Sequence, residues 1–124
     1  MKDQHYIEIC RAKIHRATVT QADLEYEGSI TIDRDLLDAS GILPYEKVQV
    51  LNLNTGHRIE TYVIVGERGS GIICLNGPAA RLGARGDEVI IIAYALMPQK
   101  DAENHSLRVV MVDKQNKIKD VGDA

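Results

Sequence analysis

Arg58 and Tyr62 are two side chains whose types and spacing could do chemistry together. They are separated by an even number of positions within an apolar segment, that is, they share parity. A strand would therefore place both on one face, about 13 Å apart at Cα. Arginine offers a fork that matches a carboxylate, and tyrosine offers a phenolic proton that a buried site can tune. The pair is either part of a small-ligand site or, as the simpler alternative, a surface arginine and a core tyrosine.

A row of three basic residues is a second candidate. Arg11, Lys13 and His15 share one parity of a strand-like segment whose other parity is apolar. Like charges side by side repel unless an anion or an acidic neighbour offsets them. The row is therefore either a solvated strand face or one wall of a site for an anion.

Ser29 lies where a polar segment ends and an apolar strand begins. Within Tyr26-Glu-Gly-Ser29, a taut backbone at the strand entrance can store strain and bring the serine hydroxyl toward the Gly28 carbonyl. Glycine at position 28 would permit backbone conformations that a side chain forbids. The alternative for Gly28 is an ordinary turn, which is the interpretation of the other Gly-Ser pair, Gly69-Ser70.

Standard catalytic and metal-binding motifs are missing from the sequence. It contains no Gly-x-Ser-x-Gly elbow and no phosphate loop, and its four histidines lack metal-ligand spacing. Cys10 and Cys74 lie far apart in apolar contexts, so we expect buried thiols rather than a disulfide or a zinc site. A chain this short without a metal would have to make an electrophile from itself to catalyse carbanion chemistry.

Charge and hydropathy argue against two classes of partner. The 124 residues carry a formal net charge of −3 with basic and acidic side chains interleaved, which weighs against nucleic-acid binding. The longest apolar run, at 89–97, is far shorter than the ~20 residues that span a bilayer, so we expect no membrane role. The first five residues lack a signal-peptide core, and we expect a cytoplasmic protein.

Short strands recur about every ten residues, with turn signals between them. Because Phe and Trp are absent, the core must be built from Ile, Val, Leu and Ala, which favours a sheet-rich interior. We expect one mainly β domain over 1–124, and a closed barrel rather than a flat sheet because closure removes exposed edges. The predicted strands cover 6–19, 29–32, 47–53, 57–65, 72–75 and 88–96, with a late candidate at 108–112 and exposed connections at 98–106 and beyond Lys114.

Only a few short helices are expected. Asp33 is the predicted cap of a short helix that Gly41 stops. Asn76 is the predicted cap of a single helical turn that Pro78 opens. Asn54-Thr-Gly56 predicts a hairpin turn, because Asn and Gly tolerate positive φ.

Five segments carry a more specific signal. They are Lys13-Ile-His-Arg16, Ala22-Asp-Leu-Glu-Tyr-Glu-Gly-Ser-Ile-Thr-Ile-Asp33, Asn54-Thr-Gly-His-Arg-Ile-Glu-Thr-Tyr62, Glu67-Arg-Gly-Ser-Gly71 and Asn76-Gly-Pro-Ala-Ala80. Together they closely resemble the bacterial aspartate 1-decarboxylase family, and Tyr26-Glu-Gly-Ser29 is the most specific element. The resemblance covers nearly all the chain and weakens only before Cys10 and after about Pro98.

The resemblance implies a fold, an assembly and a reaction. The fold would be a six-stranded double-psi β-barrel with a few short helices, and the assembly a homotetramer. The reaction would convert L-aspartate to β-alanine and CO₂ for pantothenate biosynthesis, through a Schiff base on a pyruvoyl group made from Ser29, with no metal and no pyridoxal phosphate. Ser29 would attack the carbonyl of Gly28, and elimination of the ester would cut the chain into a β chain, 1–28, and an α chain, 29–124.

Residue roles are also implied by the resemblance. Tyr62 is the expected proton donor to the α carbon, and Arg58 is expected to hold a substrate carboxylate. Thr61 has the opposite parity to Tyr62, so a bend or a subunit boundary must bring both to one ligand. Pro78, where relatives carry a small residue, has no backbone N–H to donate. The other implied site residues are the substrate contacts Thr61, Gly77, Pro78 and Ala79, and the supporting residues Lys13, His15, Tyr26 and Asn76.

Two alternatives stay open from the sequence. The chain could be a non-enzymatic double-psi barrel that serves as an interaction module with an inert Gly28-Ser29 bond, or a pyruvoyl decarboxylase for another amino acid. The joint presence of Arg58, Tyr62, Lys13 and Asn76 weighs against the first. Arg58 favours an acidic substrate and so weighs against the second. Whether maturation requires a partner protein is left open.

Overall fold

A computed structural model describes residues 5–124, and most of their regular structure is strand. The prediction made from the opening residues falls largely on 1–4, which lie outside this range. The strands are β1 (Tyr6–Thr18), β2 (Gln21–Asp23), β3 (Ser29–Asp33), β4 (Lys47–Asn52), β5 (Arg58–Gly66), β6 (Ile73–Asn76), β7 (Glu88–Pro98), β8 (Arg108–Val112) and β9 (Ile118–Asp123). The helices are α1 (Arg34–Ser40) and α2 (Gln99–Ala102), with a 3-10 turn at Gly77–Arg81.

The hydrogen-bonded strands follow the order β2-β6-β3-β5-β4-β7-β1-β8-β9. The pairs β1–β8, β2–β6 and β3–β5 are parallel, and the other neighbours are antiparallel. The six predicted strands are all present and occupy the centre of this order. The predicted fold class, mainly β with a few short helices in a barrel-like arrangement, is confirmed.

Aliphatic side chains build the core, as the absence of Phe and Trp requires. Ile14 of β1, Ile32 of β3 and Ile91 of β7 are fully buried in one cluster with valines, leucines and alanines from the neighbouring strands. The cluster fixes which face of each central strand points inward, because side chains alternate along a strand. The opposite faces are left to carry polar groups.

The predicted turn chemistry is confirmed at α1. The carboxylate of Asp33 accepts the N–H of Asp35 and caps the helix. Gly41 ends the helix in the left-handed conformation at φ 80°, where its N–H donates to the carbonyl of Leu37. The hairpin turn between β4 and β5 likewise has Gly56 at φ 81°.

The end of the chain differs from the prediction, and two short elements elsewhere were not predicted. The end beyond Lys114 is not merely a connection, because β9 forms an antiparallel hairpin with β8. All its residues are exposed, so it lacks the apolar alternation that signals a strand. The short β2 and α2 were also missed, and both are too brief to show a period.

The two edges of strand β5 pair with different strands, and each does so over a different range of residues. It pairs with β4 over 58–62 and with β3 from Val63 to Gly66. Because β5 lies between β3 and β4, the edge of 59–62 that faces away from β4 has no strand partner among residues 5–124. This free edge is where the candidate site forms.

Neither helix in the described part of the chain is long and apolar enough to cross a bilayer.

Candidate active site

Ser29 is fully buried at the first position of β3. Its hydroxyl donates to the carbonyl of Glu27 at 3.1 Å and accepts from Nδ2 of Asn76 at 2.9 Å. The antiparallel register of β3 and β6 makes Ser29 and Asn76 direct cross-strand partners. The serine hydroxyl is therefore held in one orientation next to the Gly28-Ser29 peptide bond.

Asn76 does not cap the 3-10 turn, contrary to the prediction. Its side chain makes no capping bond. It turns back into the sheet, where Nδ2 donates to Oγ1 of Thr31 at 2.9 Å as well as to Ser29. The buried hydroxyls of β3 compete successfully for the amide, because an unpaired buried polar group is costly.

Cys74 completes this polar cluster. Its thiol donates to Oδ1 of Asn76 at 3.1 Å, which leaves the amide nitrogen for the two hydroxyls. Burial raises the pKa of the Cys74 thiol, and the negative charge of Asp23 adds to the effect, so the thiol keeps its proton and remains a donor. Sequence reasoning missed Thr31 and Cys74, because only the register that pairs them across β3 and β6 brings them together.

Gly28 owes its place to close packing and not to an unusual backbone angle. It is not among the residues at positive φ, so the expectation that it adopts a conformation forbidden to side chains is wrong. A Cβ at position 28 would lie 3.2 Å from Cδ of Pro78. Gly77, at φ 62°, is tighter still, because a Cβ there would lie 2.7 Å from the carbonyl oxygen of Tyr26 and 2.8 Å from the nitrogen of Gly28.

A cavity of about 370 Å³ opens beside the Gly28-Ser29 bond. It joins five predicted residues, the cleavage-site Gly28 and the substrate-site residues Thr61, Tyr62, Pro78 and Ala79. Its complete lining is Gly28, Ile59, Glu60, Thr61, Tyr62, Pro78, Ala79 and Leu82. One chain therefore brings the predicted proton donor to the predicted cleavage point.

Thr61 and Tyr62 reach the same cavity despite their opposite parity. The prediction of a bend or a subunit boundary assumed that the ligand would contact only one face of β5. Instead four consecutive residues, 59–62, line the cavity, and they lie on the strand edge that β3 leaves unpaired. A ligand at the edge of a strand can reach side chains from both faces of that strand. No subunit boundary is therefore needed to bring Thr61 and Tyr62 together.

Arg58 lies outside that cavity. It lines a neighbouring cleft of about 480 Å³, where Nη1 donates to Oε1 of Gln49 at 2.9 Å. The cleft is lined by Glu8, Lys47, Val48, Gln49, Arg58, Glu60 and Tyr94. Glu60 belongs to both linings, and hydrogen bonds from Lys47 and Gln49 hold the pKa of its carboxyl below the usual range. The two spaces are therefore adjacent, with an acidic side chain between them.

Lys13 and His15 lie on the same sheet face as Arg58 but line neither cavity. The registers place Lys13 beside Ile92, Ile92 beside Gln49, and Gln49 beside Glu60, in one row across four strands. Desolvation lowers the pKa of His15, and the positive charges of Lys13 and Arg16 lower it further, so the neutral imidazole is favoured.

Arg11, the third cation of the basic row, has its hydrogen-bond partners within the chain. Arg11 forms a bidentate pair with Glu46 and also donates to the carbonyl of Gly41. Tyr26 is half exposed, and its carbonyl oxygen lies close to Gly77. Among residues 5–124, no three His, Cys, Asp or Glu side chains lie close enough to hold a metal ion.

Comparison with known proteins gives consistent results. A family model described as aspartate decarboxylase matches residues 5–119. An aspartate 1-decarboxylase of Carboxydothermus hydrogenoformans is 65% identical over 113 residues, which cover 91% of this chain and 89% of the relative. The protein of the same name from Salinibacter ruber is 62% identical over 112 residues, covering 90% and 77%. That from Leptospira biflexa is 59% identical over 114 residues, covering 91% and 97%.

Proposed function

This chain belongs to the aspartate decarboxylase family, and from that premise we propose that it decarboxylates L-aspartate to β-alanine and thereby supplies pantothenate biosynthesis. The observation that carries the proposal to these residues is the cavity in which Gly28, Thr61 and Tyr62 meet. Loss of CO₂ from the α carbon leaves a carbanion, so the reaction needs an electron sink conjugated to the amine. A pyruvoyl group formed at position 29 supplies that sink.

Formation of the pyruvoyl group starts from the uncut chain. Oγ of Ser29 attacks the carbonyl carbon of Gly28, a C–O bond replaces the C–N bond, and the freed nitrogen takes the hydroxyl proton. Elimination then moves the α proton of residue 29 to the departing carboxylate of Gly28 and leaves dehydroalanine at position 29. Water hydrolyses this residue, ammonia departs, and a ketone remains. The chain is cut between 28 and 29.

The surroundings of Ser29 suit this chemistry. Its oxygen has two lone pairs, of which Asn76 occupies one, so the other is available for the attack. The hydroxyl is buried, so bulk water does not solvate the attacking oxygen. The neighbouring cavity provides room for the leaving segment and, later, for substrate.

Substrate binding and protonation are assigned to the residues around the two spaces. Arg58 holds a carboxylate of aspartate, and Tyr62 donates a proton to the α carbon after CO₂ leaves. Thr61 and the backbone at Gly77 and Ala79 contact the substrate, whereas Pro78 contributes its ring and carbonyl only.

Assembly is part of the proposal. We propose a homotetramer in which a neighbouring copy brings basic side chains to the cavity, because Lys13, His15 and Arg58 lie outside the Gly28 cavity within one chain. The two cysteines are free, which fits the reducing cytoplasm as the compartment. Neither a membrane nor a nucleic acid has a part in this proposal.

Intact mass under denaturing conditions tests the self-cleavage. The wild-type protein should separate into 1–28 and a ketone-bearing 29–124, and Ser29→Ala should stay whole because it has no hydroxyl to form the ester. Ser70→Ala is the matched control, since it removes the hydroxyl of the other Gly-Ser pair, in an exposed turn. It should cut like the wild type.

Two results would contradict the proposal. One is cleavage of Ser29→Ala at the same bond. The other is wild-type protein that stays whole, without an amine-reactive ketone, both when purified and after incubation in bacterial lysate. If the protein is cut only after incubation in lysate, the proposal stands and maturation requires a partner protein.

A further inference from the structure

Gln49 lies at the centre of the cleft that contains Arg58. Its Oε1 accepts from Nη1 of Arg58 and from the hydroxyl of Tyr94, both at 2.9 Å. Its Nε2 donates to Oε2 of Glu60 at 3.4 Å. One side-chain amide on β4 therefore contacts three functional groups that come from β5 and β7.

The chemistry of these partners fixes the orientation of the amide. Arginine can only donate hydrogen bonds, and an ionised carboxylate can only accept them. The oxygen of Gln49 must therefore face Arg58, and the nitrogen must face Glu60. A reversed amide would place a donor against the guanidinium and an acceptor against the carboxylate.

The arrangement also keeps Arg58 and Glu60 apart. The two residues share parity on β5 and line the same cleft, so a direct ion pair between them would be expected. Instead Glu60 pairs with Lys47 at 3.2 Å. No ion pair within residues 5–124 includes Arg58. Its charge is held in place by a neutral acceptor and is not cancelled.

We propose that Gln49 is a positioning residue that holds Arg58 oriented and uncompensated for a carboxylate of the substrate. The proposal rests on the role given to Arg58 above. A long, exposed arginine loses rotamer freedom when it grips a ligand, and an existing hydrogen bond removes part of that cost before binding. Tyr94 supports the same oxygen from the other side.

The test compares kinetics of the cut enzyme with L-aspartate. Gln49→Ala and the similarly sized Gln49→Met should each raise KM about tenfold, because a hydrogen bond to a charged group is lost. The kcat should stay within about twofold, since Gln49 does not touch the reacting atoms. Tyr94→Phe should raise KM by about threefold, because Gln49 keeps its other partners. Gln115→Ala, an exposed glutamine in the turn before β9, is the matched control and should match the wild type.

A double variant shows whether Gln49 acts through Arg58. In an Arg58→Ala background, Gln49→Ala should change KM by less than about twofold. An unchanged KM in Gln49→Ala overturns the proposal, and so does a tenfold effect that persists without Arg58. In both cases a raised KM in Arg58→Ala would leave the proposed function standing.

Binding of succinate separates this proposal from the reaction itself, because succinate has two carboxylates and no amine. Calorimetry should show the same order of weakening for Gln49→Ala and Arg58→Ala as the kinetics. If succinate binding depends on both residues but aspartate is not turned over, the proposed function fails and the positioning role stands. A wild-type protein that neither binds succinate nor turns over aspartate overturns both.

Discussion

Among residues 5–124, Asn76 is the one side chain that hydrogen-bonds to the Ser29 hydroxyl. It can do so because Cys74 donates to its oxygen and thereby leaves both N–H groups for Ser29 and Thr31. All four side chains belong to two paired strands, β3 and β6. At this site, orientation comes from neutral donors and acceptors, and no charged side chain in the described range 5–124 hydrogen-bonds to the Ser29 hydroxyl.

The phenol of Tyr62 permits a test that separates cutting from catalysis. Tyr62→Phe keeps the ring in the cavity and removes only the proton, so cleavage at Gly28 should survive. Decarboxylation should fall by ~10² to 10⁴-fold if the phenol is the general acid. Intact mass and β-alanine formation by the same preparation provide the two measurements.

Tyr45→Phe is the control for that experiment, because Tyr45 is 79% exposed and lines neither cavity. It should leave both measurements unchanged. If a Tyr62→Phe protein cuts normally and forms β-alanine at the parent rate, Tyr62 is not the proton donor. A water or Lys13 would then be the next candidate.

Residue types and motifs predicted which residues line the cavity better than their predicted orientation on a strand did. Gly28, Thr61 and Tyr62 were named from the sequence and do meet in one cavity, whereas Arg58 lies in the next cleft. The shared parity of Arg58 and Tyr62 was correct, but parity does not tell which side chains reach round a strand edge. Gln49 carried no signal of its own, because a lone glutamine in a strand has no pattern.

The 3-10 turn after β6 supports residues 26–28, at the end of which we propose that the chain is cut. Gly77 adopts φ 62° there, and the backbone of Tyr26 and Gly28 approaches it so closely that no side chain would fit. Pro78 then packs its ring against Gly28. The turn therefore acts as a fixed surface against which the 26–28 segment is held.

Gly77→Ala should slow or abolish cleavage because the added Cβ forces that segment away from its position. Gly56→Ala is the matched control, since Gly56 also has positive φ, 81°, but has nothing within 4 Å. Both variants should lose about 1 kcal/mol of unfolding free energy from the backbone angle, and Gly77→Ala more. Only Gly77→Ala should delay cleavage, measured by the fraction cut over time. Equal cutting rates in the two variants would show that the turn does not hold the segment.

Element prediction succeeded where one face of a strand is buried. Strands β1 and β4 alternate apolar and polar residues over much of their length, and β7 is a nearly continuous apolar run. The sequence located all three within a few positions. The pairing of β5 with different neighbours along its two edges could not be read in this way, because registers depend on contacts between distant segments. That split pairing is what creates the site.

The whole molecule exposes large apolar side chains that a single chain does not cover. Leu96 is 70% exposed and Tyr6 is 58% exposed, and the register of β1 with β7 places them close together. Leu43 is also exposed, in the connection before β4. Such surfaces fit the proposed contacts between copies of the chain.

Fully active protein should therefore have about four times the 13.7 kDa mass of one chain. Size-exclusion chromatography with light scattering measures this mass on the same sample that is assayed for β-alanine. Leu96→Glu should shift the mass downward and reduce activity together, because burying a charge between subunits is costly. A monomeric profile from fully active wild type would exclude an active site shared between copies.

The position of β1 has a consequence for what happens once the chain is cut. Residues 1–28 contain β1, which lies between β7 and β8 in the interior of the strand order, and β2, which pairs with β6. Cleavage at 28–29 would thus leave the small fragment embedded and turn one folded chain into a complex of two. Refolding after denaturation would become a second-order encounter governed by mass action, so dilution would oppose it. The uncut precursor would fold by a unimolecular route that the cut protein would no longer have.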